Sequence, residues 1–332
     1  RGVEMHFIEL CKRFFLHITV FSFYYAFLEL LIVLDRPISL KLHKPFSHKL
    51  LRLKERYIIS WLKKNFGDVI VKYENIEETV IKPNKINELP IWICWLQGYN
   101  LAPNFVKKMI KNVKKKSNGH PVFLIDVDNY MQYCSLPANI VRKYKAGLMP
   151  QQQFADILRA GLLSQRGGLW IDASVFITRP IPDDVFNVPV YNIKNIKPNY
   201  YRDAVACDST KWEAYFIASW PKSVTYSFIF ECFIRYWEKY NVLIDYFLFS
   251  YLAKISREEI AAGISEYSLI PDNNFNCEQL SDYLMTSPSY SESKYREIIM
   301  GDTFVYKLTW KGNYCLIPNS GEKLLAEKLF EL

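Results

Sequence analysis

The stretch FADILRAGLLSQRGGLWIDASVFITRP, residues 154–180, decides the fold. Phe154, Ile157, Leu158, Gly161 and Leu162 recur at helical spacing, and Pro150 upstream suits the first turn of that helix. Gly167 and Gly168 stop it, and an apolar strand follows at once over 169–171. Asp172 then interrupts the apolar run. A carboxylate at the end of a buried strand is costly unless cations or hydrogen-bond donors compensate it. Asp156 and Arg159 stand three apart on the preceding helix, hence on one face. On pattern alone, a surface ion pair is the simpler reading of those two.

Working outward, residues 91–96 (IWICWL) form a short apolar run ended by Gly98, as a buried parallel strand does. A helix is expected after Pro103, with Phe105, Met109, Ile110 and Val113 on one face and Lys107, Lys108, Lys111 and Lys114 on the other. No aromatic residues interleave with those lysines, so they read as a solvated face and not as a nucleic-acid patch. The next strand is 122–125, closing in Asp126, Asp128 and Asn129. Strand, helix, strand, helix, strand predicts an α/β fold whose doubly wound sheet binds ligands beyond the carboxyl ends of its strands. After residue 180 the chain turns aromatic and mostly helical, with helices expected over 224–239 and 242–255 and a last ordered stretch over 302–311. That half reads as the acceptor side and lid.

The 332 residues are half hydrophobic, enough for one large core. Cys11, Cys94, Cys134, Cys207, Cys232, Cys277 and Cys315 are odd in number and never form a CxxC pair. This argues against a disulfide framework or zinc site and for a reducing compartment. Ten lysines and arginines between Arg36 and Lys72, against Glu55 and Asp68, account for the whole net charge of +8. The apolar run FFLHITVFSFYYAFLELLIVL, residues 14–34, precedes that basic block. About 20 apolar residues can span a bilayer, but Glu29 would be costly at hydrocarbon depth and the run is crowded with aromatic residues. The expectation is therefore a helix lying in the plane of an anionic membrane surface, helped by roughly 1 kcal/mol per basic residue. A buried helix packed on the catalytic domain is the alternative. No small-residue cleavage site follows the run, so a cleaved signal peptide is not expected. Residues 1–80 thus read as a helical, basic membrane-association segment, and 81–332 as the α/β domain. Every candidate donor-site residue lies beyond residue 90, so deleting residues 1–72 is expected to spare that site.

Five blocks, IWICWLQG, VFLIDVDNY, FADILR, GGLWIDAS and VYKLTWK, resemble in order and spacing the capsular polysaccharide synthesis family. That family is related to glycosyltransferase family 32 and, distantly, to the clostridial glucosylating toxins, and the resemblance covers about residues 50–325. It implies a retaining hexosyltransferase with a GT-A type, Rossmann-like fold, a donor half over 90–180, and an acceptor half with C-terminal lid over 181–332. It also implies a UDP-sugar donor (galactose or glucose), a Mn²⁺ or Mg²⁺ ion, and a lipid-diphosphate-linked oligosaccharide acceptor at the cytoplasmic face of the cell membrane. By the same resemblance Trp95 matches the aromatic that stacks on uracil, and Asn129 an asparagine near the donor. Asp156 and Arg159 match the pair that holds the donor sugar's hydroxyls, and Trp170 an aromatic beside the nucleotide. Asp172 matches the first Asp of Asp-x-Asp, a metal ligand.

Two departures from that pattern stand out. Ser174 occupies the place of the second metal-binding Asp, and no histidine follows His120 to serve as a C-terminal ligand. With few protein ligands, the ion would rest on Asp172, Ser174, diphosphate oxygens and water. Lys307, Lys311 and Trp310 are expected to close over the leaving diphosphate, although two lysines at the ends of an edge strand are also ordinary surface residues. Asp245, in a family Asp-Tyr-Phe motif, is expected to face the acceptor. A dinucleotide oxidoreductase is excluded by the absence of GxGxxG after the first strand. A nucleotide-sugar hydrolase and a non-catalytic membrane scaffold remain as rivals.

Overall fold

The computed structural model describes residues 2–42 (side chains from residue 10), 47–76, 81–197, 210–286, 288–312, 314 and 324–330. Cys207 and Cys315 lie outside the described residues. The chain opens with α1 (Gly2–Val20), α2 (Phe23–Lys41) and α3 (His48–Glu74). The apolar run at 14–34 is therefore two helices. The break falls at Phe21 and Ser22, where the Ser22 hydroxyl caps α2 by accepting from Tyr25 N at 3.1 Å. Among the described residues no helix is long and apolar enough to cross a membrane.

The α/β body follows as β1 (Ile91–Cys94), α4 (Asn104–Lys115), β2 (Val122–Ile125), α5 (Ala138–Lys145), α6 (Gln151–Arg166) and β3 (Gly168–Ile171). Next come β4 (Val175–Ile177), β5 (Val190–Ile193), β6 (Glu213–Ser219), α7 (Val224–Lys239), α8 (Leu248–Glu259) and α9 (Ala261–Ser268). The chain ends in α10 (Gln279–Met285), α11 (Glu292–Met300), β7 (Val305–Lys307) and α12 (Leu325–Leu329).

The main sheet runs β2-β1-β3-β6-β5. Its first three strands are parallel, as the sequence predicts, whereas β6 and β5 are antiparallel. The fold is mixed α/β, compatible with a Rossmann-like arrangement but not parallel throughout. A second pair, β4 with β7, brings residue 175 opposite residue 307.

Local chemistry sets the strand ends. Gly167 and Gly168 carry φ of 67° and 97°, and a Cβ on Gly168 would lie 2.2 Å from Pro90 O. Only glycine lets α6 turn straight into the middle of the sheet there. Asn112 on α4 donates to Ile177 O at 2.9 Å and accepts from Ile177 N at 2.8 Å, which pins β4 to the helix. The expected helix at 242–255 begins only at Leu248. Residues 242–247 are held as a loop because the Tyr236 hydroxyl donates to Val242 O (2.5 Å) and accepts from Ile244 N (2.7 Å).

The N-terminal helices belong to the same core as the sheet. Tyr25 of α2 and Ile58, Leu62, Phe66, Val69 and Ile70 of α3 are buried with Phe228, Phe233 and Trp237 of α7. Removing residues 1–72 would uncover that apolar surface, so the expected division between residues 1–80 and the α/β domain runs through a shared core. Glu29, expected at a membrane interface, is 8% exposed and faces Arg13, His17 and Lys54. The opposite side of the hairpin is different. Phe15, Phe23, Phe27, Leu34 and Ile38 are exposed, the last four forming one stripe along α2.

Candidate active site

Asp172 follows the last residue of β3, with its backbone N–H donating to Tyr215 O at 2.9 Å. Its Oδ1 accepts from Trp170 Nε1 at 2.9 Å and from Arg159 Nη2 at 3.1 Å, and its Oδ2 from Lys307 Nζ at 2.6 Å. Burial alone would raise its pKa. The Lys307 ammonium, the Arg159 guanidinium and the two hydrogen bonds outweigh burial and hold the carboxyl well below the usual range.

Helix α6 supplies the second carboxylate. Asp156 lies 3.4 Å from Arg159 Nη2 and accepts from Gln153 Nε2 at 3.1 Å. Burial pushes it up to about 7, against the pull of Arg159 and with the repulsion of Asp172. Two carboxylates in one site are thus driven in opposite directions by their surroundings, a pattern frequent at functional sites. Arg159 is fixed by a bond to Ala214 O at 2.9 Å, and its guanidinium lies over the rings of Trp170 and Phe249. A cavity of about 250 Å³ opens here, with Asp156, Arg159, Asp172, Tyr246, Phe249 and Lys307 on its wall.

Asp156, Arg159, Trp170, Asp172, Ser174 and Lys307 therefore come together. Trp170 is 2% exposed and supports Asp172 and Arg159 from within the core, which differs from the expected place beside a nucleotide. Trp95, just after β1, is half-buried and meets Trp310 edge to face at 5.8 Å. Its Nε1 has no hydrogen-bond partner among the described residues. Trp310 is 45% exposed, and Lys311 Nζ lies 5.3 Å from the centre of its ring. These three form a separate group that does not line the 250 Å³ cavity.

Two expected residues are committed elsewhere. The Asn129 side chain closes its own turn, accepting from Asp126 N at 3.0 Å and donating to Leu124 O at 2.8 Å. Asp245 is 3% exposed and does not line the cavity. Its Oδ2 lies 2.5 Å from Lys54 Nζ and its Oδ1 accepts from Phe247 N at 2.8 Å. The neighbouring Tyr246 and Phe247 line the cavity in its place. Sequence reasoning missed them together with Gln152, Trp212 and Tyr215. The Asp-Tyr-Phe block was the available signal for Tyr246 and Phe247, and only the choice of residue within it differs.

The expected Mn²⁺ or Mg²⁺ ion does not suit this donor set. Among the described residues no group of three or more His, Cys, Asp or Glu side chains is placed to hold a metal. Of the three side-chain oxygens in the Asp-Ala-Ser stretch, Asp172 Oδ1 already accepts from Arg159 and Trp170, and Lys307 Nζ sits on Asp172 Oδ2 and Ser174 Oγ, at 2.6 and 3.2 Å. An ion bound there would lie against an ammonium group.

Comparison with known proteins gives this geometry a context. Over 106 residues the chain is 29% identical to the O-glycosyltransferase braB of Annulohypoxylon truncatum, a match covering 29% of this chain and 25% of that relative. The chain thus spans about a quarter of that protein's length. The family model for capsular polysaccharide synthesis proteins matches residues 39–323, which include both strands of the β4–β7 pair and every residue on the cavity wall. With the strand-end carboxylate, the Asp156 and Arg159 pair and the lysine of β7 all inside that match, the chain belongs to the capsular polysaccharide synthesis protein family.

Proposed function

We propose that the chain is a retaining glycosyltransferase of the GT-A type. It moves a hexose, galactose or glucose, from a UDP-sugar to a lipid-diphosphate-linked oligosaccharide during surface polysaccharide synthesis. The observation that carries this reading is Asp172, held at a strand's carboxyl end between Lys307 and Arg159 and open to a cavity. That is where an α/β sheet presents a nucleotide diphosphate.

In this reading Asp156 and Arg159 hold the donor sugar's hydroxyls, while Trp95, with Trp310 edge-on, stacks on the base. The C1–O bond to the diphosphate breaks and its electron pair stays on the β-phosphate oxygen. The acceptor hydroxyl bonds C1 from the same face, its proton passing to that departing oxygen. Donors fixed in advance against the developing charge supply the largest catalytic contribution. Tyr246 and Phe247 form the wall on the acceptor side.

The exposed stripe Phe23, Phe27, Leu34 and Ile38, with Lys12, Arg36 and Lys41 exposed on the same hairpin, suits an anionic membrane surface where a lipid-linked acceptor resides. Sedimentation with neutral and anionic vesicles tests this part. Binding should rise with anionic lipid and fall with salt, as the Debye length shrinks from about 10 Å at 0.1 M to about 3 Å at 1 M. No binding to either vesicle removes the membrane from the proposal.

A thermal-shift screen of nucleotide sugars tests the donor reading. A ligand at 100 times its Kd stabilises by about 2.7 kcal/mol, which is readily seen as a shift in Tm. UDP-sugars should stabilise the protein and release UDP in the presence of acceptor lipid. A screen in which no nucleotide sugar shifts Tm overturns the reading. Release of free hexose with no acceptor product would instead mark a hydrolase.

A further inference from the structure

We infer that the Lys307 ammonium holds the place of a divalent ion between Asp172, Ser174 and the leaving diphosphate, so that donor binding and transfer need no metal. The inference rests on the donor-site reading above and specifies how that site handles charge.

Three observations carry it. First, Lys307 Nζ contacts both side chains of the Asp-Ala-Ser stretch that an ion would use, 2.6 Å from Asp172 Oδ2 and 3.2 Å from Ser174 Oγ. An ammonium group has three N–H donors. Two are taken by these acceptors, and among the described residues the third has no acceptor, in a side chain that lines the cavity. Second, the lysine is fixed from both sides. Its strand pairs with β4 in register Val175↔Lys307, Leu308 N donates to Ser174 O at 3.1 Å, and Lys307 N donates to Cys277 O at 2.8 Å. Its ammonium lies 5.2 Å from the centre of the Tyr215 ring. A cation so held loses little freedom when a ligand arrives. Third, the anionic ligands that a hard divalent ion collects are absent at this point. Ser174 is neutral, and Asp172 is already matched by Lys307 and Arg159. Glu213 and Glu278 also line the cavity, yet each is engaged by a neighbour and no three acidic groups converge among the described residues.

The charge balance of transfer is then met by protein cations. When the C1–O bond breaks, the electron pair remains on the β-phosphate oxygen. The third N–H of Lys307 donates to that oxygen, and the acceptor's proton completes it. Arg159, 3.1 Å from Asp172 Oδ1, supplies the second positive charge that a divalent ion would otherwise bring.

Calorimetric titration of the full chain with UDP, in EDTA and again with excess Mn²⁺, tests the inference, together with electron paramagnetic resonance of Mn²⁺. The dissociation constant should be the same in both conditions, and Mn²⁺ should give no stoichiometric bound signal with UDP present. Lys307→Met keeps the aliphatic stem and removes the charge. It should weaken UDP at least about thirtyfold, the loss typical of removing one partner from a desolvated charge pair. UDP binding that appears only with Mn²⁺, with a stoichiometric Mn²⁺ signal in the ternary complex, overturns the inference while leaving the donor site standing. No nucleotide binding in either condition overturns the donor reading and this inference with it. The wild-type measurements decide the matter even if Lys307→Met fails to fold.

Discussion

Two clusters of paired charge adjoin the loop at 242–247, and they are built from nearly the same parts. In one, Asp172 and Asp156 face Arg159 and Lys307. In the other, Glu29 and Asp245 share Lys54, at 3.4 and 2.5 Å, while Arg13 and His17 also reach Glu29. The Tyr25 hydroxyl lies within hydrogen-bond reach of both Glu29 Oε1 and Ile244 O and can donate its one proton to either, closing the second cluster over the loop. What separates them is access. The side chains of Asp172 and Lys307 are about a quarter exposed on the wall of the 250 Å³ cavity, whereas the carboxylates of Glu29 and Asp245 are 10% and 4% exposed and neither lines that cavity. Ionised groups that can exchange partners with a ligand form a site, while ionised groups sealed between helices hold two layers in place. Burial and charge pairing alone do not distinguish the two.

The sharpest way to break this contrast is Lys54→Met. It leaves two buried carboxylates without their shared cation and should lower folding stability by about 3–5 kcal/mol, read by denaturant unfolding. A stability within error of wild type would mean that the sealed cluster is not a latch. Asp172→Asn should show the opposite profile. The fold is retained, because Lys307 and Arg159 can turn to water in the cavity, and turnover falls by roughly 10²–10³ as an electrostatic element of the site is lost. Wild-type turnover in that variant would remove Asp172 from the chemistry. Trp95→Ala should weaken UDP and UDP-sugar alike by about 1–3 kcal/mol, the stacking contribution of one base. A defect confined to the sugar would return Trp95 to the core.

The smallest expected effect lies in the pH dependence of stability. Asp156 is raised from 3.8 to about 7, so the folded chain keeps a proton there that the unfolded chain has released. The stability this contributes is full below pH 3.8 and is lost as pH rises through about 7. Asp156→Asn has no such proton to lose. Its stability relative to wild type should therefore improve between pH 5 and pH 8, and a constant difference across that range would show that Asp156 ionises normally. Asp172 has the opposite sign, since its stabilising charge is present above 3.8 and is lost only on stronger acidification. The two clusters also differ here: Glu29 is opposed by burial but held down at about 2 by His17, Lys54 and Arg13, so it too is insensitive in this window.

How much of the site was legible follows from how far apart its parts lie in the chain. Asp156, Arg159 and Asp172 fall within one helix and the residue ending the next strand, so spacing put the first two on one helix face and the third at a strand end. Only the family resemblance turned an apparent surface ion pair into site residues. Helices α4, α6 and α7 and strands β1 to β3 were similarly visible from periodicity and glycine stops. The antiparallel strands β5 and β6 were not. Their buried pattern in an aromatic-rich stretch has no clear period, and short apolar runs are ambiguous between strand and helix.

The sequence by itself determined an α/β chain with an acidic strand end, an Asp-x-x-Arg helix face and an apolar, basic N-terminus, because each is a local pattern of residues close in the chain. Only the tertiary structure decided which charges meet. Lys307 reaches Asp172 across 135 residues through the pairing of β7 with β4, and Lys54 reaches Asp245 because α3 packs against the sheet-bearing core. It also turned one face of the hydrophobic run at 14–34 inward and left the other exposed, since a capped break at Ser22 folds the run back on itself. Side-chain direction and long-range pairing depend on which surfaces bury each other, and spacing along the chain does not carry that information.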